Sequence, residues 1–194
     1  MKPAYLDCNA TTPIDPTVSK TLFHSLIEEF GNEASRTHEY GARAKQAVQR
    51  ARDQVAAVVG AKREEVIFTS GATESNNLAI LGLREAARKT GRTHFITSTI
   101  EHKAVLEPFD ILEREGFSVT RLPVCAGGYV EPSDVENALR PETIMVSLMQ
   151  VNNETGISQP IAEITEVLSQ HDAYLHTDAA QGFGKEIDTL LNQR

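Results

Sequence analysis

Apolar residues recur every three or four positions in the amino-terminal part of the chain, a spacing typical of amphipathic helices. The pattern predicts one helix over residues 14–30, with Pro16 in its first turn and Gly31 as its stop. It predicts a second helix over residues 41–59, which Gly60 ends. The apolar positions are Val18, Leu22, Leu26 and Phe30 in the first helix and Ala44, Val48, Ala51, Val55 and Val59 in the second.

From Glu65 onward the pattern changes to short runs rich in β-branched residues, separated by helical segments. The runs predict strands over residues 66–69, 95–98, 118–122, 144–148 and 174–177. The intervening segments predict helices over residues 74–88, 102–115, 132–139 and 161–170. Because strands that alternate with helices form parallel sheets covered on their faces, the predicted fold class is α/β, with a mostly parallel sheet and flanking helices.

Composition and charge argue against several classes of partner. The 194 residues are 40% hydrophobic and 24% charged, as in a globular domain, and the formal net charge is −8. An acidic chain without a basic stripe is a poor partner for nucleic acid or an anionic membrane surface. No apolar run has the length of a signal peptide core or a membrane helix, so we expect a cytoplasmic protein. The two cysteines, Cys8 and Cys125, predict neither a disulfide framework nor a metal site.

The first predicted strand leads into the segment 69–76 (Thr-Ser-Gly-Ala-Thr-Glu-Ser-Asn), where a glycine permits a tight turn before a helix. The first N–H groups of a helix have no partner inside it, and together with the helix dipole they attract anions. The hydroxyl of Thr73 adds a donor, so the segment outlines a phosphate site. An ordinary helix N-cap prefers the same residue types, so the motif alone leaves both interpretations open.

Three other predicted strand ends carry polar side chains, and in an open α/β sheet ligands bind beyond the carboxyl ends of the strands. His102 follows the second strand, Asn153 the fourth and Asp178 the fifth. A lone histidine there is usually a solvated side chain, and an amide-rich loop can be an ordinary polar turn. Asp178 is harder to dismiss, because its apolar and small neighbours predict partial burial, which is costly for a carboxylate without donors or a cation.

Six segments, taken in order, resemble motifs of the cysteine desulfurases, a family of fold-type I enzymes that use pyridoxal 5'-phosphate (PLP). They are Tyr5-Leu6-Asp7 with Ala10-Thr11-Thr12-Pro13, Phe30-Gly31-Asn32 with Ala34-Ser35, the segment 69–75, Glu101-His102-Lys103, Val151-Asn152-Asn153-Glu154 and Asp178-Ala179-Ala180-Gln181. The resemblance spans the whole chain. It implies that residues 1–15 belong to a small domain and that residues 16–194 form a large PLP-binding domain, cut off before the lysine that holds the cofactor.

The resemblance assigns contacts to PLP. Ala72 and Thr73 would hold the phosphate through a backbone amide and a hydroxyl. His102 would stack on the pyridine ring and help to move protons, which makes it the implied catalytic residue. Asp178 would face the pyridine nitrogen, where its negative charge favours the protonated ring and strengthens its capacity to accept electrons.

Asn153 and Gln181 complete the implied set, because both would reach the side of PLP that carries the phenolic oxygen, with Asn153 also near the substrate carboxylate. The implied reaction removes sulfur from L-cysteine and gives L-alanine and a persulfide on an enzyme cysteine. The sulfur would pass to an acceptor or scaffold protein for iron–sulfur cluster assembly or another sulfur transfer. The complete enzyme is implied to be a homodimer.

The chain departs from the family pattern after Asp178. Its 194 residues contain no Ser-x-His-Lys segment for the lysine that binds PLP covalently, and Lys103 and Lys185 lie in the wrong motifs to replace it. Cys8 and Cys125 likewise lie outside the motif of the sulfur-accepting cysteine. We therefore expect the chain by itself to be catalytically inactive.

The family sheet order has a consequence for the predicted strand 66–69. It would lie three inter-strand spacings, about 14 Å, from its nearest neighbour, so we expect exposed apolar surface and aggregation. Two alternatives stay open at this stage. One alternative to a cysteine desulfurase fragment is a non-catalytic truncated remnant that serves dimerisation or scaffold binding. The other is a part of a selenocysteine lyase or another class V aminotransferase-like enzyme with the same motifs.

Overall fold

The computed structural model describes residues 3–191, and the chain divides into two compact units. The first unit ends at Phe68 and the second begins at Thr69. The division implied by the family resemblance, between residues 1–15 and 16–194, concerns a small domain and a large domain and stays a prediction.

The first unit contains the two predicted helices, α1 (Pro16–Glu28) and α2 (Glu39–Val58). Each helix begins at a side-chain cap, because Asp15 accepts hydrogen bonds from two amides of α1 and His38 accepts one from α2. Both helix predictions are confirmed, with each end of α1 two residues inside the predicted range. Gly60 follows α2 with a φ of 65°, in the left-handed region that favours glycine at such a stop.

The apolar side of α1 is exposed. Val18, Leu22 and Leu26, which the helical spacing placed on one face, have 57%, 49% and 70% of their surface accessible, and the helix has no buried residue. The local signals of spacing and capping therefore predict the helix correctly, although no residue between 3 and 191 buries its apolar face.

The prediction of a strand over residues 66–69 is wrong. Val66 is extended, but the segment joins no ladder, and Ile67 and Phe68 are exposed. Arg52 contacts it instead: Nε donates a 3.3 Å hydrogen bond to the Val66 carbonyl oxygen, and the guanidinium lies 5.3 Å from the centre of the Phe68 ring. A β-branched run forms a strand only where a neighbouring strand completes its hydrogen bonds.

The second unit is built on a parallel sheet. Its strands are β1 (His94–Ser98), β2 (Ser118–Leu122), β3 (Thr143–Ser147) and β4 (Tyr174–His176). Their order is β2-β1-β3-β4, and every pair of neighbours is parallel. Each strand lies within one residue of its predicted bounds, and the α/β class is confirmed.

Helices cover both faces of this sheet. They are α3 (Ala72–Gly82), α4 (Arg84–Thr90), α5 (Lys103–Arg114), α6 (Pro132–Ala138) and α7 (Ile161–Leu168). Phe95 and Ile96 point to opposite faces of β1, the first into a core with α3, α4 and α5, the second into a core with α6 and α7. The prediction of a single helix over residues 74–88 is wrong, since two helices meet at Leu83. The break lies beside Gly82, and glycine has a low helix propensity. No helix in residues 3–191 is long and apolar enough to cross a membrane.

His94, the first residue of β1, connects three strands. It lies near the amino-terminal ends of the strands, away from their carboxyl ends. It is 1% exposed, and its ring nitrogens lie 2.8 Å from the Thr143 hydroxyl and 2.9 Å from the Thr120 hydroxyl. Burial, with the nearby charge of Arg140, lowers the pKa of His94 to about 4. The ring is therefore neutral in the folded protein at neutral pH.

We expect His94 to make the chain less stable in acid. In the unfolded chain the ring takes up a proton near its ordinary pKa of 6.5, so folding stability falls as the pH drops from 6.5 toward 4. The loss between pH 7 and pH 5 amounts to about 2 kcal/mol. Urea unfolding of His94→Gln at both pH values should lack this loss, whereas the exposed-site control His24→Gln should retain it. An equal pH dependence in both variants would contradict the assignment.

Candidate functional site

The first turn of α3 holds two residues of the predicted phosphate site, Ala72 and Thr73, both of them exposed. The N-cap is Gly71, which has no side chain to cap the helix. The carboxylate of Glu74 turns back onto Ser70, whose amide and hydroxyl each donate a hydrogen bond of 2.6 Å to it. Both hydrogen bonds lower the pKa of Glu74, and the bond from the hydroxyl has the larger effect. Because first-turn N–H groups have no intrahelical partner, the start of α3 is suited to an anion.

Asp178 follows β4 and is buried, with 9% of its surface accessible. Its Oδ2 accepts a hydrogen bond of 2.8 Å from Asn76 Nδ2, and its Oδ1 accepts one of 3.0 Å from the Ala180 amide. Asn76 lies in α3, three residues after Thr73, and residues at this spacing share a helix face. The structure therefore joins the carboxylate directly to the helix whose start is suited to an anion.

The segment between β1 and α5 carries His102. Its exposed side chain caps α5, since Nδ1 accepts a hydrogen bond of 3.1 Å from the Ala104 amide. Glu101 beside it is buried, and its Oε1 accepts hydrogen bonds from the Ser98 hydroxyl at 2.6 Å and the Met149 amide at 3.1 Å. The position of His102 is thus fixed by its own cap and by the buried residue that precedes it.

The loop after β3, which carries the predicted cofactor contact Asn153, is organised by Asn152. Asn152 is buried, its Oδ1 accepts hydrogen bonds from the amides of Glu154 and Thr155, and its Nδ2 donates one of 3.0 Å to the Ile100 carbonyl oxygen. Asn153 is half-buried, and its Nδ2 donates to Glu154 Oε1 at 2.9 Å. The Ile100 contact holds the loop that carries Asn153 against the loop that carries His102.

Backbone contacts complete the cluster. The Gln150 amide donates a hydrogen bond of 2.9 Å to the Asp178 carbonyl oxygen, so the loop after β3 also meets the end of β4. Gln181 is half-buried in the turn that follows Asp178. The segments of Thr73, His102, Asn153 and Asp178 are therefore linked through defined contacts, although side chains of residues that were not predicted make most of them.

Two ionisable groups, the buried Glu101 and the half-buried His176, set the electrostatics. Burial raises the pKa of Glu101 to about 7, and the charge of Asp178 acts in the same direction. Burial lowers the pKa of His176, whose Nδ1 lies 2.8 Å from the Ser147 hydroxyl, while Asp178 opposes that change. No group of three or more His, Cys, Asp or Glu in the described part of the chain is placed to hold a metal ion.

Sequence reasoning missed Asn76, Glu101 and Asn152, the side chains that connect the site. Each lies within three residues of a predicted contact, inside a motif that the sequence had already singled out. The spacing of three between Thr73 and Asn76 could have indicated a shared helix face. No sequence pattern marks which member of the pair Asn152 and Asn153 is buried.

The sequence pattern of the family described as aminotransferase class-V matches residues 4–189, so the chain belongs to this family. Two relatives are named cysteine desulfurases. The one from Homo sapiens is 50% identical over 185 residues, which cover 95% of this chain and 40% of the relative. Cysteine desulfurase IscS from Dictyoglomus turgidum is 47% identical over 180 residues, covering 93% of this chain and 45% of the relative. The chain thus spans less than half the length of these curated relatives.

Solved structures agree in fold. DndA from Streptomyces lividans has a TM-score of 0.86 at 52% identity, with 96% of this chain and 52% of that chain covered. The structure described as SspA in complex with cysteine has a TM-score of 0.89 at 41% identity, with 96% and 54% covered. The mostly parallel sheet with flanking helices is therefore the fold of this family.

Proposed function

We propose that the chain is the PLP-binding part of a cysteine desulfurase, an enzyme that takes sulfur from L-cysteine. The observation that carries the proposal is the buried carboxylate of Asp178 bonded at 2.8 Å to Asn76, on the helix whose start is suited to a phosphate. The cysteine desulfurases that share about half of its residues support it. L-cysteine is the proposed substrate, which agrees with the cysteine bound in the SspA structure.

The donor set of the site fits PLP. Asp178 receives its hydrogen bonds from an amide side chain and a backbone amide, and neither neutralises its charge. A protonated pyridine nitrogen would supply the opposite charge that a buried carboxylate requires. At the other end, Ala72 and Thr73 would hold the phosphate, since Glu74 is bonded to Ser70 and leaves the helix start to the anion.

The chain's own residues would bind, orient and move protons around PLP, which when bound supplies a ring that accepts electrons from the substrate. His102 would stack on the ring. Its Nδ1 accepts a hydrogen bond from the Ala104 amide. In the neutral imidazole the proton is therefore on Nε2, which would be the atom that exchanges it. Asn153 and Gln181 would orient the phenolic oxygen side, and Asn153 would also contact the substrate carboxylate.

Turnover would need groups beyond these motifs. Lys103 and Lys185 are exposed, and neither stands in the motif of the lysine that binds PLP. Cys8 and Cys125 do not stand in the motif of the cysteine that accepts sulfur. We therefore propose that this chain binds PLP without desulfurating L-cysteine, and that a homodimeric, longer enzyme passes the sulfur to an acceptor or scaffold protein.

The purified chain should bind one equivalent of PLP in equilibrium dialysis and release no L-alanine from L-cysteine above the rate of free PLP. Borohydride reduction followed by peptide mapping should find low labelling spread over several lysines, because no lysine within residues 3–191 stands in the motif of the lysine that binds PLP. Absence of saturable PLP binding would contradict the proposal and favour a dimerisation or scaffold-binding role. A stoichiometric adduct at a single lysine, or rapid alanine release, would contradict the inactivity.

A further inference from the structure

The carboxyl group of Glu101 takes the place of a strand carbonyl at the end of β1. The N–H groups of Leu148 and Gln150 donate to carbonyl oxygens of the β4 segment. Because N–H groups alternate in direction along a strand, the Met149 N–H between them points toward β1. β1 has ended at Ser98, and Glu101 Oε1 accepts this N–H at 3.1 Å.

Glu101 thereby joins two loops that both carry predicted PLP contacts. Its Oε1 accepts one hydrogen bond from the Ser98 hydroxyl, in its own segment, and one from the Met149 amide, in the segment after β3. His102 follows Glu101 directly, and Asn153 lies four residues after Met149. Displacement of the Glu101 side chain would therefore change the relative position of His102 and Asn153.

The second oxygen of Glu101 indicates its charge state. Oε2 is buried and has no hydrogen-bond partner among the described residues. Asp178, which follows β4, is the charged group that acts on Glu101, while His102 and Lys103 on the segment of Glu101 are exposed. A second buried anion close to Asp178, with one oxygen unbonded, is unfavourable. The pKa of Glu101, raised to about 7, agrees with this geometry.

We propose, resting on the function proposed above, that Glu101 is a positioning residue that works in the uncharged form of its carboxyl group. Its Oε1 fixes the position of the loop that carries His102 relative to the loop that carries Asn153. Because its carboxyl is neutral, Asp178 is the ionised member of the pair Glu101 and Asp178.

Three variants test the two parts of this proposal. Glu101→Gln keeps an uncharged side chain with an acceptor oxygen, Glu101→Ala removes the acceptor, and Glu107→Gln changes an exposed residue of α5 as a control. Carbon NMR should show a glutamate carboxyl that titrates near pH 7 in the wild type and Glu107→Gln but not in Glu101→Gln. Glu101→Ala should lose hydrogen-exchange protection at the Met149 amide and bind PLP about tenfold more weakly, while Glu101→Gln stays close to the wild type.

A Glu101 carboxyl that titrates near its ordinary value of 4.5 would overturn the uncharged state. Wild-type PLP affinity and Met149 protection in a folded Glu101→Ala would overturn the positioning role. If the wild-type chain binds no PLP, the proposed function fails, whereas the carboxyl titration and the Met149 amide exchange still decide the role of Glu101.

Discussion

We expect replacement of Asp178 by asparagine to weaken PLP binding about thirtyfold, which corresponds to about 2 kcal/mol. Asparagine has nearly the same shape, and its carbonyl oxygen can still accept the 2.8 Å hydrogen bond from Asn76, while its NH2 group then replaces the oxygen that accepts the hydrogen bond from the Ala180 amide. It lacks the negative charge that would hold a protonated pyridine nitrogen, and hydrogen bonds to charged groups are the stronger ones. The dissociation constant, measured by equilibrium dialysis or PLP absorbance, reports the loss.

Asp172→Asn is the matched control, because Asp172 is exposed and lies ahead of β4. It removes the same charge from the chain and should leave the PLP affinity unchanged. Circular dichroism of both variants should match the wild type, so that weaker binding cannot arise from unfolding. Equal dissociation constants for Asp178→Asn and the wild type would remove Asp178 from the cofactor site.

We expect replacement of Phe95 by alanine to destabilise the second unit by about 3–5 kcal/mol. The side chain is 0% exposed and meets two other rings edge to face, Phe109 at a centroid distance of 6.2 Å and Phe117 at 5.6 Å. Its removal loses the apolar contacts and leaves a cavity under α5, because packed cores relax only in part. Urea unfolding followed by circular dichroism measures the change in free energy.

Phe95→Leu and Phe183→Ala keep this experiment decisive even if Phe95→Ala does not fold. The leucine retains much of the apolar volume and should cost about 1 kcal/mol. Phe183 is 43% exposed, so its truncation should cost less than either Phe95 variant. A Phe95→Leu variant no less stable than Phe183→Ala would show that the aromatic cluster is not the core of the unit.

The sheet of the second unit could be predicted because its strands are short β-branched runs that alternate with helical spacing. The run at residues 66–69 has the same composition, yet it forms no strand within the described residues. Strand formation there depends on a neighbour that local pattern does not supply. The sequence likewise did not predict the break between α3 and α4 at Leu83, because only Gly82, with its low helix propensity, indicates it.

The surroundings of Asp178 were predictable, because a buried carboxylate has few alternatives to meeting hydrogen-bond donors. A carboxylate at a strand end with apolar and small neighbours had to meet donors, and Asp178 does so through Asn76 and Ala180. The connections between loops were not predictable, because Glu101 and Asn152 act through contacts with segments about fifty residues away along the chain. Such contacts exist only once the sheet brings its strand ends together.

The account depends on one site in which the start of α3 and Asp178 flank the same cofactor. Titration of PLP into the isotope-labelled chain, followed by backbone amide NMR, tests this directly. The account predicts that the amides of Ala72, Thr73 and Ala180 shift together with a single dissociation constant, and that Asp178→Asn weakens all three responses equally. Shifts confined to one of the two segments, or different dissociation constants for them, would contradict it.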